Sequence, residues 1–140
     1  MNLKKVLISS VLLWLTTTIL VMLTCGWLFN WVYLLPPQIW KNPQDMTNGL
    51  NLIGSNLTGF LRALTFVLVY DWLFKGLPGQ GLKKGLNYGL IIWLVGALFG
   101  MASMPFYMTI NPAVIVYWIV QALGLNLVNG AIVGLVYKDK

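Results

Sequence analysis

Long apolar stretches, separated by short polar or proline-bearing links, give this chain its pattern. Four stretches stand out, at about residues 6–35, 51–74, 86–104 and 112–137. A helix of about 20 mostly apolar residues crosses roughly 30 Å of hydrocarbon, so each is long enough to span a membrane. The first is longer than required, and its far end is expected to tilt or to emerge at the interface. Pro36 and Pro37 stop the first stretch, Pro105 stops the third, and Pro112 suits the opening turn of the fourth. The pattern predicts an all-α fold, a four-helix transmembrane bundle forming one integral membrane domain over residues 1–140.

Composition narrows the class. Of 140 residues, 59% are hydrophobic and 9% are charged, whereas a soluble domain is about 45–50% apolar and roughly 25% charged. So few charges cannot solvate a globule, which excludes a soluble enzyme and a nucleic-acid-binding domain despite the net charge of +6. The basic residues instead report topology. With four spans, Lys4, Lys5, Lys75, Lys83, Lys84, Lys138 and Lys140 fall on one side and Lys41 on the other. That positive-inside bias predicts an N-in/C-in bundle in contact with anionic membrane lipids. The short links and the lysine bias suit the inner (plasma) membrane of a prokaryote. Trp27, Trp31, Trp40 and Trp118 gather at the predicted outer boundary, and Tyr70, Trp72, Tyr88 and Tyr137 near the inner one, as interfacial belts do. Lys4 and Lys5 ahead of an apolar run resemble a signal peptide, but the run continues past Trp27, and it reads as a retained first span.

Familiar side-chain catalysis has little to work with. There is no histidine and a single cysteine, Cys25, so the usual general base, the commonest metal ligand and an intrachain disulfide are all missing. Asp45, Asp71 and Asp139 are far apart and form no recognisable acid–base pair. The sequence therefore predicts no catalytic residue, no metal ligand, no cofactor and no enzyme. The Gly/Pro-rich link at 75–84 matches no phosphate-cradling motif and reads as a turn. Trp14 reads as packing, and Cys25 with the threonines at 16–18 and 24 as mild polarity without a role, because hydroxyls in helices usually bond back to their own backbone.

The second span carries the sharpest signal. Asn48, Asn51, Ser55, Thr58, Arg62 and Thr65 recur at spacings of three and four, which at about 100° per residue places them within one polar stripe. A charged side chain near mid-membrane costs about 2.5–3.5 kcal/mol on insertion scales, so Arg62 must face protein or water and find acceptors. Asp71, nine residues on, falls on the opposite face. The predicted ligand-binding set is Arg62, Thr58, Ser55 and Asn51 with Gln121 and Asn129 of the fourth span, and Asn126 is a further candidate partner of the guanidinium. A guanidinium among neutral polar groups outlines an anion or lipid-headgroup site. The structural reading, which the sequence favours over a ligand site, is a snorkelling arginine or an interhelical hydrogen-bond peg.

Small residues mark where helices approach closely. Gly85 and Gly89, then Gly96 and Gly100, are each spaced by four in the third span, and eleven residues from Gly85 to Gly96 return to nearly the same face. In the fourth span, Ala122, Asn126, Gly130 and Gly134 follow at four-residue intervals. Such rows let backbones touch where lipid removes the hydrophobic drive for association. Gly85, Gly89, Gly96, Gly100, Gly130 and Gly134 are thus the predicted packing residues, within one protomer or between copies.

The polar-fronted second span, Lys83-Lys84-Gly85-Leu86-Asn87-Tyr88-Gly89-Leu90 at the start of the third, and Gly130-Ala131-Ile132-Val133-Gly134-Leu135 closing the fourth resemble small, uncharacterised four-span bacterial membrane proteins that share a domain of unknown function. The resemblance covers about the last two-thirds of the chain, and implies a four-helix membrane fold and no activity. The expected function is a small, oligomeric membrane protein that binds or conducts an anionic small solute or lipid headgroup through the polar stripe. The alternative is a non-catalytic accessory or scaffold subunit of a larger membrane complex.

Overall fold

The structure, a computed structural model, describes residues 3–137. The lysines at 138 and 140, and Asp139, lie outside the described residues. Helix α1 (Leu3–Leu23) is followed by a wide π turn (Thr24–Leu28) and a tight 3-10 turn (Asn30–Leu34). The short α2 (Pro43–Met46) precedes α3 (Gly49–Leu73). Next come α4 (Gly81–Ile92), a π segment (Trp93–Leu98), α5 (Phe99–Ala102), a 3-10 turn (Met104–Phe106) and α6 (Pro112–Val136). No strand occurs among the described residues. Four continuous helical stretches, Leu3–Leu28, Gly49–Leu73, Gly81–Phe106 and Pro112–Val136, are long and apolar enough to cross a membrane. The chain is a multi-pass membrane protein built as a four-helix bundle.

Local chemistry sets the helix ends. The Asn48 and Asn111 carboxamides accept hydrogen bonds from the Leu50 and Ala113 amides at 3.2 and 3.0 Å, capping α3 and α6. Pro112 needs no amide partner in the first turn of α6. The turn into α4 uses Gly79 at φ +95°, a left-handed conformation that disfavours any side chain. The first helix does not continue to residue 35. It widens at Thr24, whose hydroxyl donates to the Leu20 carbonyl at 2.7 Å, and the tight turn then brings Tyr33 back over Cys25. Beyond Leu23 the chain keeps turning, first as the wide π turn and then as the tight 3-10 turn, with Trp27 and Trp31 largely exposed.

The closest contact in the bundle is α4 against α6. A Cβ on Gly85 would overlap the carbonyl of Gly130, one on Gly89 the carbonyl of Asn126, and one on Gly134 would stand 2.6 Å from the carbonyl of Gly81. Nothing larger than hydrogen fits at these positions. Gly96 and Gly100 do not extend this seam, and a Cβ on either meets nothing within 4 Å. Gly96 lies within the π segment Trp93–Leu98, where the wider turn advances fewer degrees per residue than an α-helix, so the eleven-residue return to the Gly85 face is lost.

Helix α1 lies against α3 and, less extensively, α6. Two apolar clusters close the ends. At the end bearing Lys4, Lys5, Lys75, Lys83 and Lys84, the buried Val6, Leu13, Val67 and Val133 surround a stack of Phe66, Tyr70, Tyr88 and Tyr137. Ring centroids there are 4.7 Å apart for Phe66–Tyr88, 5.1 Å for Tyr70–Tyr88 and 5.5 Å for Tyr70–Tyr137. Tyr88 also donates to the Phe66 carbonyl at 2.8 Å, pinning α4 to α3. At the opposite end, Val32, Ile110, Val114 and Ile115 pack under Trp40 and Trp118.

The seam makes a discriminating prediction. Gly85→Ala and Gly130→Ala should each destabilise the bundle by about 1–3 kcal/mol, because backbone cannot yield as a side chain can. Gly96→Ala and Gly100→Ala should be neutral or stabilising by up to about 1 kcal/mol through helix propensity. Thermal unfolding of the four variants in one mild detergent separates the two pairs.

Candidate functional site

Arg62 occupies the middle of α3, thirteen residues after Gly49 and eleven before Leu73, or about 17–20 Å along the axis from either end. From Ala63 onward α3 is packed, with Ala63, Phe66, Val67 and Tyr70 buried, whereas Leu50, Ile53, Leu57 and Leu61 before it are exposed. The guanidinium stands where α3 parts from its neighbours. Two hollows meet there. The larger, about 400 Å³, lies between α3, α4 and α6 and is walled by Phe66, Val69, Tyr88, Ile92, Gly96 and Ala97, with Thr65 and Asn126 as its polar residues. The smaller, about 60 Å³, lies between α1, α3 and α6 and is bounded by Trp14, Thr17, Thr18, Gly59, Ala63 and Asn129. Arg62 and Phe66 line both.

The hydrogen bonds show what remains available. Thr17 donates to Asn129 Oδ1 at 3.1 Å and Thr18 to the Trp14 carbonyl at 2.8 Å, so both hydroxyl protons are committed. Asn126 donates from Nδ2 to the Ala122 carbonyl at 2.7 Å. Arg62 has no hydrogen bond or ion pair among the described residues, and neither Asn129 Nδ2 nor Trp14 Nε1 donates to another described group. The pyrrole edge of Trp14 abuts Gly59, where a Cβ would lie 3.5 Å from Cδ1 and 3.6 Å from Nε1. The small hollow therefore presents N–H donors around a fixed positive charge, and no carboxylate lines either hollow.

The residues expected from sequence are dispersed by this geometry. Arg62 and Asn129 share the small hollow. Ser55 and Thr58 are exposed, donate to the Leu52 and Gly54 carbonyls of their own helix at 3.0 and 2.7 Å, and line neither hollow. Asn51 donates to the Asp45 carbonyl and accepts from Lys41 Nζ at 3.3 Å, tying the 36–47 link to α3. Gln121 lies in another cluster. Its Nε2 donates to Thr24 Oγ1 at 2.6 Å and to Cys25 Sγ at 3.0 Å. Trp14, Thr17 and Thr18 were invisible as site residues because each carries an ordinary packing or back-bonding signal. Asn126 and Thr65 were within reach, one through its four-residue spacing and the other through the stripe.

The Gln121 cluster is a second polar centre. Tyr33 donates to Cys25 Sγ at 3.3 Å and accepts from Trp118 Nε1 at 2.9 Å, and Tyr117 Oη lies 3.4 Å from the same sulfur. Burial, reinforced by the bond to Cys25, pushes the Tyr33 phenol well above its usual range, so it stays protonated and donating at neutral pH. This network fastens the 3-10 turn to α6. Comparison with known protein families, characterised proteins and solved structures finds no match to the chain.

Tyr33→Phe strips Trp118 Nε1 of its acceptor and Cys25 of a donor, and stranding a half-buried N–H costs about 1–3 kcal/mol. The expected result is a lowered midpoint of thermal unfolding together with a red shift of Trp118 emission, read in a background lacking the other tryptophans near that end.

Proposed function

We propose that this protein is a small, non-catalytic membrane protein that binds or conducts an anionic small solute or lipid headgroup at Arg62. The observation that supports this reading is a guanidinium midway along a membrane-spanning helix, unpaired among the described residues and flanked by uncommitted N–H donors. Holding a charge there costs about 2.5–3.5 kcal/mol or more, which an anion accepting two parallel hydrogen bonds from the guanidinium offsets. The membrane is the inner (plasma) membrane of a prokaryote, with the Lys75–Lys84 side and both termini facing the cytoplasm, following the lysine bias. Membrane lipids are the standing partners, and the assembly is a homo-oligomer.

A second reading is supported by the exposed side of α3, where Leu50, Ile53 and Leu57 are 81%, 67% and 56% accessible, and by the open Gly96 and Gly100. There the chain is an accessory subunit of a larger membrane complex, and a partner helix supplies the acceptor for Arg62.

In proteoliposomes, Arg62→Gln should abolish anion-dependent behaviour while the fold survives. Inorganic phosphate and acetate should raise the wild-type melting temperature, equivalent to about 2.7 kcal/mol at a hundred times the dissociation constant, and should leave the variant unmoved. Equal melting shifts in the two proteins would remove the reading, and co-purification of a stoichiometric partner through Arg62 would replace it with the second.

A further inference from the structure

The hollows on either side of Arg62 differ in size and in chemistry. The small one, about 60 Å³, has room for about two waters at about 30 Å³ each, enough for a carboxylate and too little for a sugar or a large phosphorylated head. Its uncommitted groups are the guanidinium, Asn129 Nδ2 and Trp14 Nε1, all N–H donors. The large one, about 400 Å³, is walled chiefly by Phe66, Val69, the Tyr88 ring, Ile92 and Ala97. The Tyr88 hydroxyl is already committed to the Phe66 carbonyl at 2.8 Å. Arg62, Thr65 and Gly96 are exposed, so the large hollow opens sideways on the bundle, at the depth of the hydrocarbon.

We infer that the ligand is an amphiphilic monocarboxylate, its carboxylate in the Trp14–Asn129 niche against Arg62 and its apolar body in the Phe66–Ala97 chamber, admitted laterally from the bilayer. This rests on the anion reading of Arg62 and adds the shape of the anion to it. A small inorganic anion would use the niche alone and leave the chamber without purpose. A neutral apolar molecule would use the chamber and leave the guanidinium unpaired. Only a molecule with both parts satisfies both hollows, and a planar carboxylate matches the fork of an arginine with two parallel bonds.

The test uses the full chain in nanodiscs of zwitterionic lipid, with empty nanodiscs subtracted, and three probes measured by calorimetry: octanoate, acetate and octanol. Octanoate should bind at least tenfold more tightly than acetate or octanol. Gly59→Leu fills the niche, and Gly96→Leu, at a position where a Cβ meets nothing within 4 Å, fills the chamber. Each should weaken octanoate at least tenfold, whereas acetate should respond to Gly59→Leu and Arg62→Gln alone. If either leucine variant does not fold, Gly59→Val or Gly96→Phe takes its place. Acetate binding as tightly as octanoate, with Gly96→Leu without effect, overturns the inference and leaves the anion reading standing. Octanoate and acetate binding unchanged in Arg62→Gln overturns both, as does the absence of binding by all three probes.

Discussion

Backbone touching backbone along α4 and α6 is the contact on which the rest of the bundle depends. Where Gly85 meets Gly130 and Gly89 meets the Asn126 carbonyl there is no side chain on either helix to adjust. In lipid the hydrophobic effect does not draw helices together, and close van der Waals packing between small residues takes over that role. The seam makes a rigid plate of two helices. Helices α1 and α3 lean on this plate, held at one end by the Tyr70, Tyr88 and Tyr137 stack, while at the other end the Trp40 and Trp118 cluster fastens the links to α6. Between these two closures the helices are not obliged to meet, and Arg62 stands in that interval.

The polar groups obey the same accounting. Buried amides and hydroxyls in a membrane protein bond either to their own helix or across to a neighbour. Ser10, Thr18 and Asn126 do the first, whereas Thr17 with Asn129 and Gln121 with Thr24 do the second. These cross-bonds join α1 to α6 at two levels. The buried Ser9 and Tyr70 hydroxyls take neither course among the described residues, and Arg62 is the charged group that does the same.

The sequence made the four spans legible because apolar runs of that length have few other uses, and it made Arg62 legible because a charge in such a run is costly wherever it points. The far end of the first span, longer than a crossing requires, turns through a π and a 3-10 segment after Leu23, a change of helix type that apolar length alone does not announce. Helical periodicity placed Ser55, Thr58 and Arg62 on one stripe but carries no information on how far a neighbouring helix accompanies that stripe, and the stretch of α3 ahead of Gly59 is largely exposed. Gly96 and Gly100 were placed on the seam by assuming an unbroken 3.6-residue repeat. Trp14, Thr17 and Thr18 entered the small hollow through tertiary packing alone, which no local pattern announces.

The π segment at Trp93–Leu98 divides the third span into two unlike halves. Wide turns of this kind amount to a helix that has accommodated one more amino acid than its hydrogen-bond ladder was built for, and they recur at functional positions. Here the surplus residue swings Gly96 and Ala97 out of register with α6 and into the wall of the larger hollow. The same four-residue glycine spacing thus does opposite things in the two halves of one span: it seals the first half against α6 and leaves the second half as bare backbone along an open wall.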